Sequence, residues 1–428
     1  MKNSNRLALA ATLALMLSSF ASAQVMFTVI PVPGSSPNSP IAINNAGQVV
    51  VNTGNSSSYN VSVWSRLSGA QNIALIGTNS GGSAINNAGD VVGAADPSHT
   101  GSLEAFLWQA ATGLQWPGSL DGNWSSANGI NDAGAVVGMA YNPAGARHAF
   151  FWTSDAGTQD LTPSLTSLGG AIARGINSSD QVVGYYFPDG SRTTLGFTWT
   201  QSGGFQNLGS SGTLAFALNN GGIVVGQTTV ANGFRHAFSW TQSGGIQDLG
   251  ALVGGSESSA LGINSGGWVV GTSLTSAKSG FLHGFLWTPS VGMMDFTALA
   301  PTITPAQQIV SAQINDLGVI AVSTSKGGFL MIPRMTGTIT SSVNPSKFGQ
   351  PVTFTVVISS IAGPPPDGET VRFVAGGKTL GSATMTGGVA QFTTSAIPIG
   401  SHVVKAVYSG DANYLPVAYT AISQTVNP

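Results

Sequence analysis

Cysteine is absent from all 428 residues. That excludes disulfides, thiolate metal sites, a cysteine nucleophile and a lipid-modified cysteine. Charge is scarce as well. Asp, Glu, Lys and Arg make up 7% of the chain, against roughly 25% in typical proteins. The surface must therefore be wetted by Asn, Ser, Thr, Gln and backbone. So few cations cannot build a basic stripe for nucleic acid or a polybasic membrane patch. Beyond Leu7 to Leu17 there is no long apolar run, so no membrane span is expected. Gly-x-Ser-x-Gly, His-Glu-x-x-His, phosphate-loop and EF-hand patterns are all missing. No cofactor is expected, and no ten-residue stretch after the N-terminal segment carries helical periodicity.

The N-terminal segment reads as an export signal. Lys2 and Arg6 give a positive start, Leu7 to Leu17 is apolar but too short for a bilayer, and Ala21-Ser22-Ala23 is a small-residue cleavage site. Residues 1–23 are thus expected to be removed, leaving Gln24 first and placing the protein outside the cell or on its surface. Without Lys2 and Arg6 the 14 basic residues become 12 against 16 acidic ones, a net charge of −4.

What the chain has in abundance is glycine, 58 residues of it, set in a repeat. Ala84-Ile85-Asn86-Asn87-Ala88-Gly89-Asp90-Val91-Val92-Gly93 recurs with its asparagine at Asn44, Asn86, Asn131, Asn177, Asn219, Asn264 and Asn315. The spacings are 42, 45, 46, 42, 45 and 51 residues, a period that points to a propeller or solenoid. Asn-x-x-Gly is a hairpin-turn signal, because Asn bonds its own backbone and Gly takes the left-handed conformation. Asp180 holds the glycine place in the fourth copy. A β-branched pair follows the turn, and a small residue stands two places before most of the asparagines, which suits strands crowded around an axis. Phe-x-Trp strands such as Phe150-Phe151-Trp152 and Phe238-Ser239-Trp240 come next. Segments such as Ile246-Gln247-Asp248-Leu249-Gly250 make a fourth strand. Four short strands per repeat are the content of a propeller blade. The Phe and Trp side chains share one strand face and are expected to form core between blades. The seventh copy lacks a fourth strand, and Gln24 to Gly34 can supply it.

The period ends near Arg334. Residues 335–428 then read as short alternating strands, among them Val352 to Val357, Thr370 to Val374, Val389 to Phe392 and His402 to Tyr408. Pro364-Pro365-Pro366-Asp367-Gly368 is one of the turns between them. About ninety such residues indicate a β-sandwich.

Both halves resemble families. Through His148-Ala149-Phe150, His236-Ala237-Phe238, the near match His283-Gly284-Phe285 and the Gly-Ile-Asn and Asp-Leu-Gly motifs, residues 24–334 resemble the bacterial extracellular repeat proteins named for His-Ala-Phe, the HAF repeats. Val51 and Val322 replace the glycine that follows the strand pair in other copies. Through Asn344-Pro345, Gly349 to Phe354, Gly400-Ser401-His402 and Tyr408 to Tyr414, residues 335–428 resemble a bacterial Ig-like domain. The expected fold is all-β: a seven-bladed β-propeller of four-stranded blades, closed by the N-terminal strand and followed by an Ig-like β-sandwich. The resemblance carries over no catalytic residue, and for the C-terminal part it implies a spacer or adhesive module.

Candidate chemistry is thin. His148, His236 and His283 sit at equivalent places in different copies, so they are not expected to converge on a metal; strand-edge hydrogen bonds suit them better. Thirteen acidic residues lie in residues 24–334. Six of them, Asp132, Asp160, Asp180, Asp248, Asp295 and Asp316, occupy repeated motif positions, which leaves few for the paired carboxylates of a hydrolase. Binding residues are better sought where copies differ, between the second and third strands of copies three to five. There stand Tyr141, Arg147, Tyr185, Tyr186, Phe187, Asp189, Arg192 and Arg235. These segments should open on the face opposite the hairpins. The expectation is a secreted, monomeric, non-catalytic protein that binds or adheres to an extracellular glycan or protein. The alternative is a secreted propeller enzyme acting on polysaccharide, a glycoside hydrolase or lyase.

Overall fold

The computed structural model describes residues 25–428 except 40, 56–57, 74–77, 166–169, 189–190, 192, 276–281, 305–306 and 420. The export signal at 1–23 and the cleavage junction at Gln24 lie outside the described residues, as do the candidates Asp189 and Arg192. The described chain is all-β with one short helix, Phe296–Leu299, capped by the Asp295 carboxylate accepting from Thr297 N–H.

Each repeat builds an antiparallel sheet in chain order. The second copy is representative, with Thr78–Ile85, Val91–Asp96, Glu104–Gln109 and Gly113–Gln115 side by side. Two such groups, in copies three and four, are joined into one eight-stranded sheet by a parallel bridge between Arg147 and Gly170. The last sheet is completed from the other end of the repeat region, where Phe27–Val32 lies antiparallel to Gly327–Pro333 with Phe27 opposite Pro333. The Asn-x-x-Gly turns have the expected geometry. Gly47, Gly89, Gly134, Gly222, Gly267 and Gly318 are left-handed, and Asp180 adopts φ 56° in the remaining copy.

The sheets stack through apolar clusters, each drawn from two successive copies. Val183 of copy four packs with Ala215, Val224 and Phe238 of copy five. Val225 and Ala237 of copy five meet Val269 and Phe285 of copy six. The series returns to its start, because Val319, Ala321, Leu330 and Ile332 of copy seven pack with Val49, Val51 and Trp64 of copy one. Phe106, Phe150, Phe197, Phe238 and Phe285 are fully buried in these clusters, and burying each such ring is worth roughly 1.5–3 kcal/mol.

One departure from the repeat acquires a reason. In copies two to six the first strand carries a β-bulge three residues before the asparagine, at Ser83, Asn128, Arg174, Phe216 and Leu261. Opposite it stands Gly93, Gly138, Gly184, Gly226 or Gly271, where a Cβ would meet a first-strand carbonyl oxygen at 1.9–2.0 Å. In copy seven Ala312 pairs with Val322 in regular register and the bulge falls earlier, between Ile309 and Ser311. No carbonyl then intrudes, and valine fits where glycine was required.

Residues 336–427 form two facing sheets. Thr336–Ser341, Val352–Ser359 and Val389–Thr394 make one, and the other is centred on Thr370–Ala375, Gly400–Tyr408 and Ile422–Asn427. Phe354, Val356, Phe373, Val404, Ala406 and Tyr408 fill the space between them.

Candidate functional site

The repeated asparagines do more than turn the chain. Each is 3–6% exposed. Its Oδ1 accepts the backbone N–H four residues on, as in Gln48 to Asn44 at 2.9 Å and Val319 to Asn315 at 2.9 Å. Its Nδ2 donates to the backbone oxygen of the equivalent asparagine in the next copy. Asn44 donates to Asn86 at 2.8 Å, Asn86 to Asn131 at 3.1 Å, Asn131 to Asn177 at 3.1 Å and Asn177 to Asn219 at 3.2 Å. Asn219 continues to Asn264 at 3.0 Å and Asn264 to Asn315 at 3.2 Å. Asn315 then donates to Asn44 at 3.1 Å, so the bonds form a closed cycle. A second tier lies outside it. There Asn45 N–H donates to Asn87 Oδ1, Asn87 N–H to Asp132 Oδ1, and Asp316 N–H to Asn45 Oδ1.

The C-terminal domain sits on this hairpin face. Asn413 Oδ1 accepts from Asn315 Nδ2 at 2.8 Å, and Asn413 Nδ2 donates to Asn45 O at 3.0 Å. Arg66 Nη2 donates to Asp411 O and Tyr414 O, and Tyr414 hydroxyl donates to Leu317 O at 3.1 Å. The loop keeps its shape because Asp411 Oδ1 accepts both Asn413 N–H and Tyr414 N–H at 2.7 Å. The loop is thus seated across the first and last copies.

The histidines join the two repeat motifs. His148 Nδ1 pairs with Asp160 Oδ2 at 2.7 Å, His236 with Asp248 at 3.0 Å and His283 with Asp295 at 2.7 Å. The aspartates also accept backbone N–H groups from Thr162, Gly250 and Thr297. Each pair therefore ties the third strand to the end of the fourth. In copy three His148 Nε2 faces Asn142 Nδ2 at 3.2 Å, so Nδ1 carries the proton shared with Asp160. Among the described residues no three His, Asp or Glu side chains gather as a metal set, and no helix is long and apolar enough to cross a membrane.

The variable residues of copies three to five divide into groups. They stand at strand ends rather than in the links, because pairing runs further than expected: Tyr141 is opposite Arg147, Tyr185 opposite Gly196, and Thr229 opposite Arg235. Tyr185 and Phe187 point to one side of Val182–Phe187, with rings 6.3 Å apart at 77°. Tyr185 also meets Phe216 of copy five at 6.3 Å and 88°. An arginine stands at each end of this strip. Arg147 lies 5.9 Å from the Phe187 ring centre and Arg174 5.8 Å from that of Phe216, both within cation–π range. Gly170 gives Arg147 its room, since a Cβ there would stand 3.2 Å from Nε and Nη2. Arg147 Nε is buried without a hydrogen-bond partner among the described residues.

The other candidates lie apart. Tyr186 points to the opposite side, stacks edge-on against Phe205 and donates its hydroxyl to Asn207 Oδ1 at 2.8 Å. Tyr141 packs on Trp124. Arg235 is exposed at the start of its strand. Two members of the strip, Arg174 and Phe216, were not singled out by the sequence. They occupy the bulge place, where Ser83, Asn128 and Leu261 stand in other copies. Wide variation at that one place, amid near-constant neighbours, is the signal that could have found them.

Residues 339–427 match the family model of the bacterial Ig-like domain (group 3). No curated protein matches the sequence. Among solved structures the chain is similar to streptogramin B lyase, with a TM-score of 0.51 and 10% identity over 73% of this chain and 100% of that one. It is also similar to the extracellular domains of two hybrid two-component systems from B. thetaiotaomicron, with TM-scores of 0.44 and 0.46 and identities of 11% and 9%. Those alignments cover 92% and 94% of this chain but only 56% and 59% of theirs. At these identities the likeness is one of fold alone: propeller-like repeat sheets, followed here by an Ig-like domain.

Proposed function

We propose that this is an exported, non-catalytic binding protein. In this reading residues 24–334 form a closed, seven-bladed HAF-repeat propeller of four-stranded blades, and residues 335–428 form an Ig-like domain seated on its hairpin face. The asparagine cycle and the pairing of Phe27–Val32 with Gly327–Pro333 support the closed ring. The observation that carries the binding reading is the strip Arg147, Phe187, Tyr185, Phe216 and Arg174. It lies away from the hairpin turns that the Ig-like loop occupies, at positions whose residues differ from copy to copy.

The carboxylates weigh against an enzyme. Asp160, Asp248 and Asp295 are held by histidines, and Asp132 and Asp316 bond the hairpin tier. Asp96 accepts Thr100 and Gly101 N–H groups, and Asp90 and Asp180 bond ring asparagines. Carboxylates committed in this way are poorly placed to serve as a hydrolytic pair. The likeness to a lyase concerns fold and assigns no reaction here.

Retention and turnover should be measured together on a panel of polysaccharides and extracellular proteins. Retention without turnover, lost in Tyr185→Ala and kept in Tyr186→Ala, is the expected result. Product release by the wild type would favour the enzymatic alternative. Mass spectrometry of the exported protein should find Gln24 as its first residue.

A further inference from the structure

We infer that the strip binds an anionic polysaccharide, one that carries carboxylates on its sugar rings. This rests on the binding reading above and narrows it to a ligand class.

The first argument is charge. Arginines are few, and the chain as a whole is acidic. Yet two of them flank one run of three aromatic rings, and a third, Arg235, stands exposed in the next copy. Among the described residues the ion pairs are the three His–Asp clasps, and no carboxylate of that set pairs with Arg147 or Arg174. Arg174 is exposed and Arg147 is partly exposed, its buried Nε having no hydrogen-bond acceptor among the described residues. A guanidinium offers a planar fork of donors that matches a carboxylate in two bonds. Two such forks, one at each end of the strip, call for a ligand with repeated negative groups rather than a single anion.

The second argument is the surface between them. Tyr185, Phe187 and Phe216 are each partly exposed, and the Tyr185 ring stands nearly at right angles to each of the other two. The result is a ridged apolar wall with one hydroxyl. Sugar rings present C–H faces to such a wall and keep their own hydroxyls wet, which suits amphipathic aromatic surface.

The third argument separates a glycan from an acidic peptide. One way to hold an extended peptide is to add its backbone to an open strand edge. Val182–Phe187 has no open edge, because it pairs with Gly170–Ile176 on one side and Leu195–Thr200 on the other. The strip offers side chains only, which fits a polymer recognised through its rings and charges.

The test uses the full exported chain and polygalacturonate as probe, with neutral dextran and poly-glutamate as comparators. Affinity is read by calorimetry at low and high salt. Polygalacturonate should bind and dextran should not, with binding weakened by salt. Arg174→Gln should weaken it about tenfold, the loss of one charge-assisted hydrogen bond, and Arg174→Lys should recover part of that loss. Arg174 is exposed, so an unchanged melting temperature confirms that both variants are folded. Dextran bound as tightly as polygalacturonate, with loss in Tyr185→Ala, would overturn the anionic ligand and leave the binding face in place. Poly-glutamate bound in preference would overturn the glycan in favour of a peptide. Polygalacturonate binding untouched by both Arg174→Gln and Tyr185→Ala would overturn the site and the face together.

Discussion

Asn413 uses both ends of its side-chain amide to span the join between the last repeat and the first. Its oxygen accepts from Asn315 and its nitrogen donates to the carbonyl of Asn45. Asn315 and Asn45 are 270 residues apart in sequence, and the residue that bridges them belongs to neither repeat. The Ig-like loop thus touches the repeat region at the join between its last copy and its first.

The first prediction follows from that bridge. Asn413→Ala leaves Asn45 O and one Asn315 donor without a partner at a buried contact. It should cost about 1–3 kcal/mol and lower the first thermal transition in calorimetry. Arg66→Ala should do the same, because it removes both bonds to the loop backbone. Two transitions unchanged in both variants would show that the domain is not coupled to the repeats.

The cycle itself gives the second. Asn177 donates to Asn219 O and Gln181 Oε1 and accepts from the N–H groups of Ser179 and Gln181. Replacing it with alanine strands buried groups in two copies and should destabilise by about 2–4 kcal/mol, more than a single neutral hydrogen bond is worth. Ser178→Ala, at the exposed neighbouring place, should stay within about 0.5 kcal/mol. Urea unfolding of the two variants makes the comparison, and equal midpoints would contradict it.

The histidine clasps should differ among themselves. His148 is 2% exposed and also meets Asn142, while Asp248, the partner of His236, is 46% exposed. His148→Ala should therefore cost about 2–3 kcal/mol through the groups it leaves unpaired. His236→Ala should cost less than about 1 kcal/mol, as exposed pairs do. Denaturant midpoints would reveal a reversed order.

Ionisation makes a fourth prediction. Burial, and secondarily the nearby Asp411 charge, raise Glu369 above its ordinary value of 4.5. A raised carboxyl favours its protonated form in the folded state. Its contribution is therefore fully present below the ordinary value and lost as pH rises through the folded one. Glu369→Gln should melt higher than wild type at pH 7 and no higher at pH 4. Tyr414 is pushed up to about 12 by burial first and Asp411 second, and Tyr408 and Tyr419 are raised further by burial. Their stabilisation holds up to about pH 10 and is lost above it. Tyrosinate absorbance from these residues should appear together with unfolding of the Ig-like domain and not before.

Much of the fold could be read from local rules. The Asn-x-x-Gly turns, the buried Phe of the third strands in copies two to seven and the left-handed Asp180 follow from residue chemistry within a few positions. The acceptors of the asparagine amides could not be read that way, because six lie 42 to 51 residues ahead and the seventh 271 residues back, and only the stacking of the sheets brings them near. Nothing in Ser-Gly-Asp-Ala-Asn-Tyr betrays that Asn413 has a partner in another domain. Tyr186 was grouped with Tyr185 by adjacency, whereas strand alternation sends the two rings to opposite sides. Phe216 and Arg174 were hidden because a bulge breaks that same alternation and turns them out of the core.

The bond from Asn315 back to Asn44 is the same, in atoms and length, as the bonds inside the repeat region. At the level of this cycle, the join between the last copy and the first has no chemical signature. A chain opened in the exposed turn near Val253, with the old ends of the repeats joined, would be offered the same set of donors and acceptors. The cycle thus does not enforce which copy comes first, and the Ig-like loop at Asn413 is one feature that marks this junction.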